Sequence, residues 1–178
     1  MSSIIHYAKV NGDCVIQKYL EYPLLIENRK FDIRQWFMVT NWNPLKLWIF
    51  HGGYARFCST EFSLDDKNCN IHLTNQAIQS PEKHFNPEKS LKSASIIPSD
   101  NIWSYDDLEN WLDENFDENE WQGSILPGIW EIIAQTCKRN APFVKNLPGA
   151  YEIYGADIGK KFFYKNIMLG LATDKLTS

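Results

Sequence analysis

The chain has 178 residues, 44% of them hydrophobic and 14% aromatic, with seven Trp, which is enough apolar material for one sizeable core and too much for a disordered tail. The formal net charge of -4 provides no basic excess for nonspecific binding to nucleic acid, so an acidic partner has to be met by a local basic patch. No apolar run reaches membrane-spanning length, and the opening MSSIIHYAKVNGD lacks the basic and apolar blocks of a signal peptide. The expectation is a single α/β domain that neither binds nucleic acid nor inserts into a membrane.

In chain order, Cys14–Leu20 reads as a short strand. Phe31–Thr40 (FDIRQWFMVT) and Leu45–Phe50 (LKLWIF) read as a β-hairpin across the turn-forming cluster Asn41-Trp42-Asn43-Pro44. His51-Gly52-Gly53 then reads as a break, with a third strand starting at Tyr54–Cys58. Residues 76–103 carry Pro81, Pro87 and Pro98 among Ser, Lys and Asn, and read as a long surface loop or insertion. Ser104 and Asp107 form a capping box ahead of Leu108, Trp111 and Leu112, predicting a helix there. Ile125, Ile129, Ile132, Ile133 and Cys137 recur near helical spacing and predict a core helix over Ile125–Lys138. Tyr151–Ile158 reads as a strand.

Four cysteines, Cys14, Cys58, Cys69 and Cys137, form no Cys-x-x-Cys pair, and only Cys69 has a His nearby, at His72. A structural zinc is not expected, and scattered thiols fit a reducing compartment. The acidic run Asp106–Glu120 reads as the solvated face of a helix rather than acid–base machinery.

The chemically informative stretch is Arg29-Lys30-Phe31-Asp32-Ile33-Arg34. Alternation along a strand puts Lys30, Asp32 and Arg34 on one face and Phe31 and Ile33 on the other. Charges at the mouth of a buried strand need partners. Either they pair with one another as an ion network on an exposed strand face, or they meet a polyphosphate, for which Lys is a point charge and Arg a planar fork. Arg56 reads as a phosphate contact or an ordinary surface Arg. In Ile71-His72-Leu73-Thr74-Asn75, His72, Thr74 and Asn75 read as ribose contacts or caps of the next helix, capping being preferred for Thr74 or Asn75. Asp157 reads as a turn residue or a magnesium ligand.

Taken together these pieces resemble the tubulin tyrosine ligase-like family. Val15–Glu21 resembles its hinge strand and Arg29–Arg34 its Lys-Phe-Asp-x-Arg motif, with Arg56, His72–Asn75 and Tyr154–Asp157 in the family's order. Ile33–Thr40 followed by Asn41–Leu45, with Arg56-Phe57, Phe62-Ser63-Leu64 and Ile71-His72-Leu73, is most similar to the initiating tubulin glycylases. That branch has Asp where Asn41 stands, and both residues suit a turn.

The resemblance implies an ATP-grasp-like fold, here the C-terminal part of a tubulin tyrosine ligase domain, with an antiparallel-rich sheet flanked by helices. It implies that Gln17, Lys18, Tyr19 and Leu20 frame the adenine of ATP and that Lys30 and Asp32 contact the nucleotide. Arg34 and Arg56 would lie at the γ-phosphate and reacting acyl group, Thr74 and Asn75 near ribose and phosphates, and Asp157 would hold Mg²⁺. The implied reaction joins glycine to glutamate side chains of tubulin, in its acidic C-terminal tails on microtubules, through an acylphosphate. The implied location is cytoplasm and cytoskeleton, including the cilium and axoneme.

The pattern also departs from the family. Gly12 is the only glycine ahead of the hinge, where the family carries a glycine-containing phosphate loop, and no Glu follows Glu152, where the family has a Glu-x-Asn strand of magnesium ligands. These departures predict a partial ligase domain over residues 1–157, a divergent tail over 158–178, and weak or no activity for the chain alone. A non-catalytic tubulin-binding fragment and a tubulin glutamate ligase are the alternatives.

Overall fold

A computed structural model describes residues 18–79, 95–116, 119–160 and 169–175, with Lys160 and residues 169–175 as backbone only. The elements are β1 (Leu25–Ile26), β2 (Arg29–Trp42), β3 (Leu45–Phe57), helical turns α1 (Cys69–His72) and α2 (Gln76–Gln79), β4 (Ile102–Ser104), α3 (Tyr105–Asn115), α4 (Leu126–Asn140), β5 (Glu152–Lys160) and β6 (Leu169–Lys175). One antiparallel sheet runs in the order β4-β3-β2-β5-β6, with β1 pairing the start of β2. The α/β class and the antiparallel sheet flanked by helices are as expected, and consistent with an ATP-grasp-like fold.

The pleat explains the layering. On β2, Phe31, Ile33, Phe37 and Val39 point to one face and are buried. They meet Ala55 and Phe57 of β3, Ala156 and Ile158 of β5, and the helices above. The helix α3 contributes Tyr105, Leu108 and Leu112, and α4 contributes Leu126, Ile129, Ile133 and Cys137, each set at helical spacing. Full burial of such a side chain contributes roughly 1.5–3 kcal/mol. The capping box forms as expected: Ser104 Oγ accepts the Asp107 N–H at 3.1 Å, and the Asp107 carboxylate accepts the Ser104 N–H at 2.9 Å. A turn of π-helix over Trp121–Ile125 leads into α4, whose start is set by Pro127.

Three expectations change. The hairpin strands are longer than predicted, running from Arg29 to Trp42 and from Leu45, so the turn tightens to Asn43-Pro44, with Asn41 Nδ2 donating to the Pro44 carbonyl at 2.7 Å. His51-Gly52-Gly53 does not break β3. Phe50, His51 and Gly52 form a bulge opposite Trp36, where the register jumps from Gln35↔Gly53 to Phe37↔Ile49. The buried Gln35 amide donates to the Phe50 carbonyl at 2.8 Å and the Trp36 carbonyl at 3.0 Å, occupying carbonyls that the bulge takes out of the ladder. A side chain at Gly53 would run into the Tyr105 hydroxyl and the Arg34 carbonyl. The predicted loop over 76–103 is structured at both ends, by α2 and by β4, which pairs with β3 as Arg56↔Ile102 and Ala55↔Trp103; residues 80–94 lie outside the described residues. Beyond Asp157, β5 continues without interruption to Lys160 and β6 pairs along it from Tyr154↔Lys175 to Lys160↔Leu169.

Candidate functional site

The face of β2 opposite the core carries Lys30, Asp32 and Arg34, as alternation requires. Register then decides what they meet: Asp32 lies beside Arg56 on β3, and Arg34 beside Asp157 on β5. Arg56 grips Asp32 with both ends of its fork, Nε to Oδ1 at 2.8 Å and Nη2 to Oδ2 at 2.6 Å, and reaches Asp157 Oδ1 at 2.8 Å. Arg34 Nη2 donates to Asp157 Oδ2 at 3.0 Å. Its guanidinium lies over Gly155, where a Cβ would collide with it, and 5.3 Å from the Trp36 ring. Glycine at 155 therefore gives Arg34 its path across the sheet.

The loop around α1 closes the other side. Thr74 Oγ1 donates to Asp32 Oδ2 at 2.6 Å, and Lys30 Nζ donates to the His72 carbonyl at 2.6 Å. Tyr19 stands over Lys30, with its ring centroid 5.1 Å from Nζ, and its hydroxyl lies 2.6 Å from His72 Nδ1. The other His72 nitrogen meets the Asp66 carbonyl at 2.5 Å, so the tautomer with Nε2–H donates there and leaves Nδ1 to accept from Tyr19. Leu20 reaches β5, where its Cδ2 would touch a Cβ placed on Gly159 at 3.1 Å. The segment from Lys18 to Leu20 thus crosses the charged face from Lys30 toward Gly159.

The electrostatics follow from this packing. Burial works against the Arg56 charge, but its hydrogen bonds to Asp32 and the charges of Asp32 and Asp157 outweigh that and hold its proton above the ordinary range. Burial, and then the neighbouring Asp32 carboxylate, raise the Asp157 pKa in spite of Arg56 and Arg34. Burial lowers Lys30. Burial pushes the Cys58 thiol up to about 12, which makes it an inert core group. Three cations share the site with two carboxylates, so it carries a surplus positive charge suited to an anion.

The structure therefore brings together Tyr19, Lys30, Asp32, Arg34, Arg56, Thr74 and Asp157. The ion network and the charged site turn out to be the same set of atoms. Asn75 does as its capping reading predicts: Oδ1 accepts from the Ala77 N–H at 2.9 Å, at the start of α2. Lys18 is exposed and makes no hydrogen bond or ion pair among the described residues, and Gln17 lies outside them. His72, read from the sequence with Thr74 and Asn75 as a ribose contact, presents its carbonyl to Lys30 and its ring to Tyr19; Gly155 belongs to the site although it was not singled out. The signal for Gly155 was its place two residues before Asp157 on a strand, hence on the same face.

Among the described residues, no three His, Cys, Asp or Glu side chains converge as a metal site. Asp157 has its pKa raised by burial first and by the Asp32 charge second, and a cation bound there would offset both. The donor set fits a Mg²⁺ ion carried largely by phosphate oxygens and water rather than a cage of protein ligands. No helix among the described residues is long and apolar enough to cross a membrane.

Known proteins resemble this chain over most of its length. The family model for the tubulin-tyrosine ligase family matches residues 1–168. Human tubulin monoglycylase TTLL3 is 39% identical over 147 residues, covering 83% of this chain and 18% of that protein. Human protein monoglycylase TTLL8 is 37% identical over 150 residues, 83% of this chain and 17% of its own length. Tubulin glycylase 3A of Drosophila melanogaster is 36% identical over 143 residues, 80% and 14% respectively. The chain spans about a fifth of the length of the curated relatives it matches. With residues 1–168 of 178 matched, this chain belongs to the tubulin-tyrosine ligase family.

Proposed function

We propose that the charged face binds the polyphosphate of ATP and that the protein is a tubulin glycine ligase. The observation that carries the reading is the convergence of Lys30, Arg34 and Arg56 with Asp32 and Asp157 on one sheet face, with Tyr19 and His72 over Lys30. The names of the relatives, tubulin and protein monoglycylases, supply the acceptor and the donor class.

In this reading Lys30 and Arg34 meet the phosphates, and Tyr19 with Gln17, Lys18 and Leu20 frames the base. Arg56 holds Asp32 and Asp157 at their spacing and stays close to the transferring group. Thr74 and Asn75 border the ribose and phosphates. Asp157 holds Mg²⁺, which when bound neutralises charge on the transferring phosphoryl group. A glutamate carboxylate oxygen of the acceptor attacks the γ-phosphorus and ADP leaves. The glycine amine then attacks the acyl carbon, phosphate departs, and the amine gives up its proton to leave an isopeptide bond. The surplus positive charge would draw an acidic tubulin tail toward the same face. Tubulin as acceptor places the protein with the cytoskeleton, and with the axoneme where cilia are built.

The test has two arms. Calorimetric titration of the purified chain with Mg-ATP is expected to show binding that Arg34→Ala removes while the fold survives. A longer version matching the full relatives is expected to transfer labelled glycine, in preference to labelled glutamate, to tubulin, and Arg34→Ala to abolish transfer. Unchanged ATP binding and glycylation by the Arg34 variant would refute the assignment; a preference for glutamate would replace the donor.

A further inference from the structure

We propose that Gln79, which touches none of the charged groups, is the positioning residue of the site: its side-chain amide sets where His72 and Thr74 stand over Lys30 and Asp32. The inference rests on the nucleotide-binding reading for its consequence, and on geometry alone for the clamp itself.

Gln79 is the last residue of α2 and is 1% exposed. Its Oε1 accepts the Ser59 N–H at 2.7 Å, and its Nε2 donates to the Leu73 carbonyl at 2.5 Å and the Asn70 carbonyl at 3.1 Å. The amide thus places two donors and one acceptor on three backbone groups in one buried spot. The two carbonyls flank His72, and Leu73 immediately precedes Thr74. On the other side, Ser59 follows Cys58, whose N–H donates to the Lys30 carbonyl at 2.9 Å. Gln79 therefore ties the loop that contributes the His72 carbonyl and the Thr74 hydroxyl, through Ser59 and Cys58 at the end of β3, to the start of β2 that carries Lys30 and Asp32.

Apolar packing holds that loop at Ile71 and through the Phe62 ring, edge-on to His72. Ile71 is buried, but Leu73 is 49% exposed. The loop's polar atoms nevertheless sit at hydrogen-bond distance from Lys30, Asp32 and Tyr19. The chemistry of position 79 is restrictive. A Glu would turn an anionic oxygen toward two carbonyls, a Met would satisfy none of the three groups, and a Lys would offer nothing to the Ser59 N–H.

The test uses the full 178-residue chain labelled with ¹⁵N-histidine, the His72 ring signals being assigned by loss in His72→Gln. Gln79→Met and Gln79→Glu are expected to displace the His72 ring resonances and to weaken Mg-ATP binding about tenfold or more, as misplacement of a positioning group does. Leu112→Ala, which loosens the core away from the loop, is expected to lower the melting temperature and leave those resonances in place. Wild-type His72 signals together with wild-type Mg-ATP affinity in Gln79→Met would overturn the proposal. If wild type binds no Mg-ATP, the nucleotide reading fails, and the His72 resonances decide the clamp by themselves. Should both variants fail to fold, amide exchange in wild type decides: a protected Ser59 N–H is expected, and one exchanging like an open loop overturns the clamp.

Discussion

The two faces of β2 solve the same problem in opposite ways. On the core face Gln35, fully buried, accepts the Tyr105 hydroxyl at 2.7 Å and donates to the Phe50 and Trp36 carbonyls. That network is neutral and closed, and burial pushes the Tyr105 phenol well above its ordinary pKa. On the other face Arg34, Asp32, Arg56 and Asp157 form a charged network that leaves a surplus of cation with Lys30. A neutral saturated network specifies packing, whereas a charged and unbalanced one on the face away from the core invites a ligand. One residue of offset along a strand separates the two, because the pleat sends neighbours to opposite faces.

If this contrast is right, breaking the charged network costs most. Arg56→Ala leaves Asp32 and Asp157 side by side without the fork that joins them. The unfolding free energy is expected to fall by about 3–5 kcal/mol in urea titration, as when one partner of a buried ion pair is removed. A loss below about 1 kcal/mol, typical of surface pairs, would show that the network is effectively solvated. Breaking the neutral network costs less. Tyr105→Phe keeps the ring among the core side chains and deletes one hydrogen bond, leaving Gln35 Oε1 without that donor. The expected loss is about 1–3 kcal/mol. Mg-ATP binding is expected to stay at the wild-type level, and a parallel drop in affinity would mean that the two faces are coupled.

How much of this was legible depends on the range over which each choice is made. The alternation of Lys30, Asp32 and Arg34 against Phe31 and Ile33 is local, as are the Ser104 capping box and the Asn75 cap, and all could be read from the sequence. The stretch His51-Gly52-Gly53, which overlaps the bulge, read as a break because glycine usually marks one. It continues as strand because Gln35 and Tyr105, the latter some fifty residues away, fill it. Thr74 read as a capping residue or ribose contact, but its hydroxyl goes to Asp32, a choice set by loop placement rather than by local composition. That Arg56 meets Asp32 and Arg34 meets Asp157 follows from strand register, which no single strand specifies. Family resemblance supplied the membership of the site, and register supplied its wiring.

The smallest expected effect is the most diagnostic of the contrast, because it separates stability from binding. Asp157 has its pKa raised by burial and by Asp32, so the folded chain holds that proton more tightly than the unfolded one. The sign follows directly: below the ordinary carboxylate range the group carries no penalty, stability falls as pH rises through the window up to the raised value, and above it the penalty is constant. Asp157→Asn removes the charge, and so is expected to remove that part of the pH dependence. Urea titrations of variant and wild type from about pH 3 to pH 7 should therefore show the variant gaining relative to wild type as pH rises. Mg²⁺-dependent nucleotide binding is expected to weaken in the same variant. A carboxylate that burdens the fold at neutral pH while serving the ligand is a signature of a functional site. If the variant instead loses stability relative to wild type as pH rises, Asp157 is a structural partner of Arg34 and Arg56, and the two faces of β2 differ in charge but not in purpose.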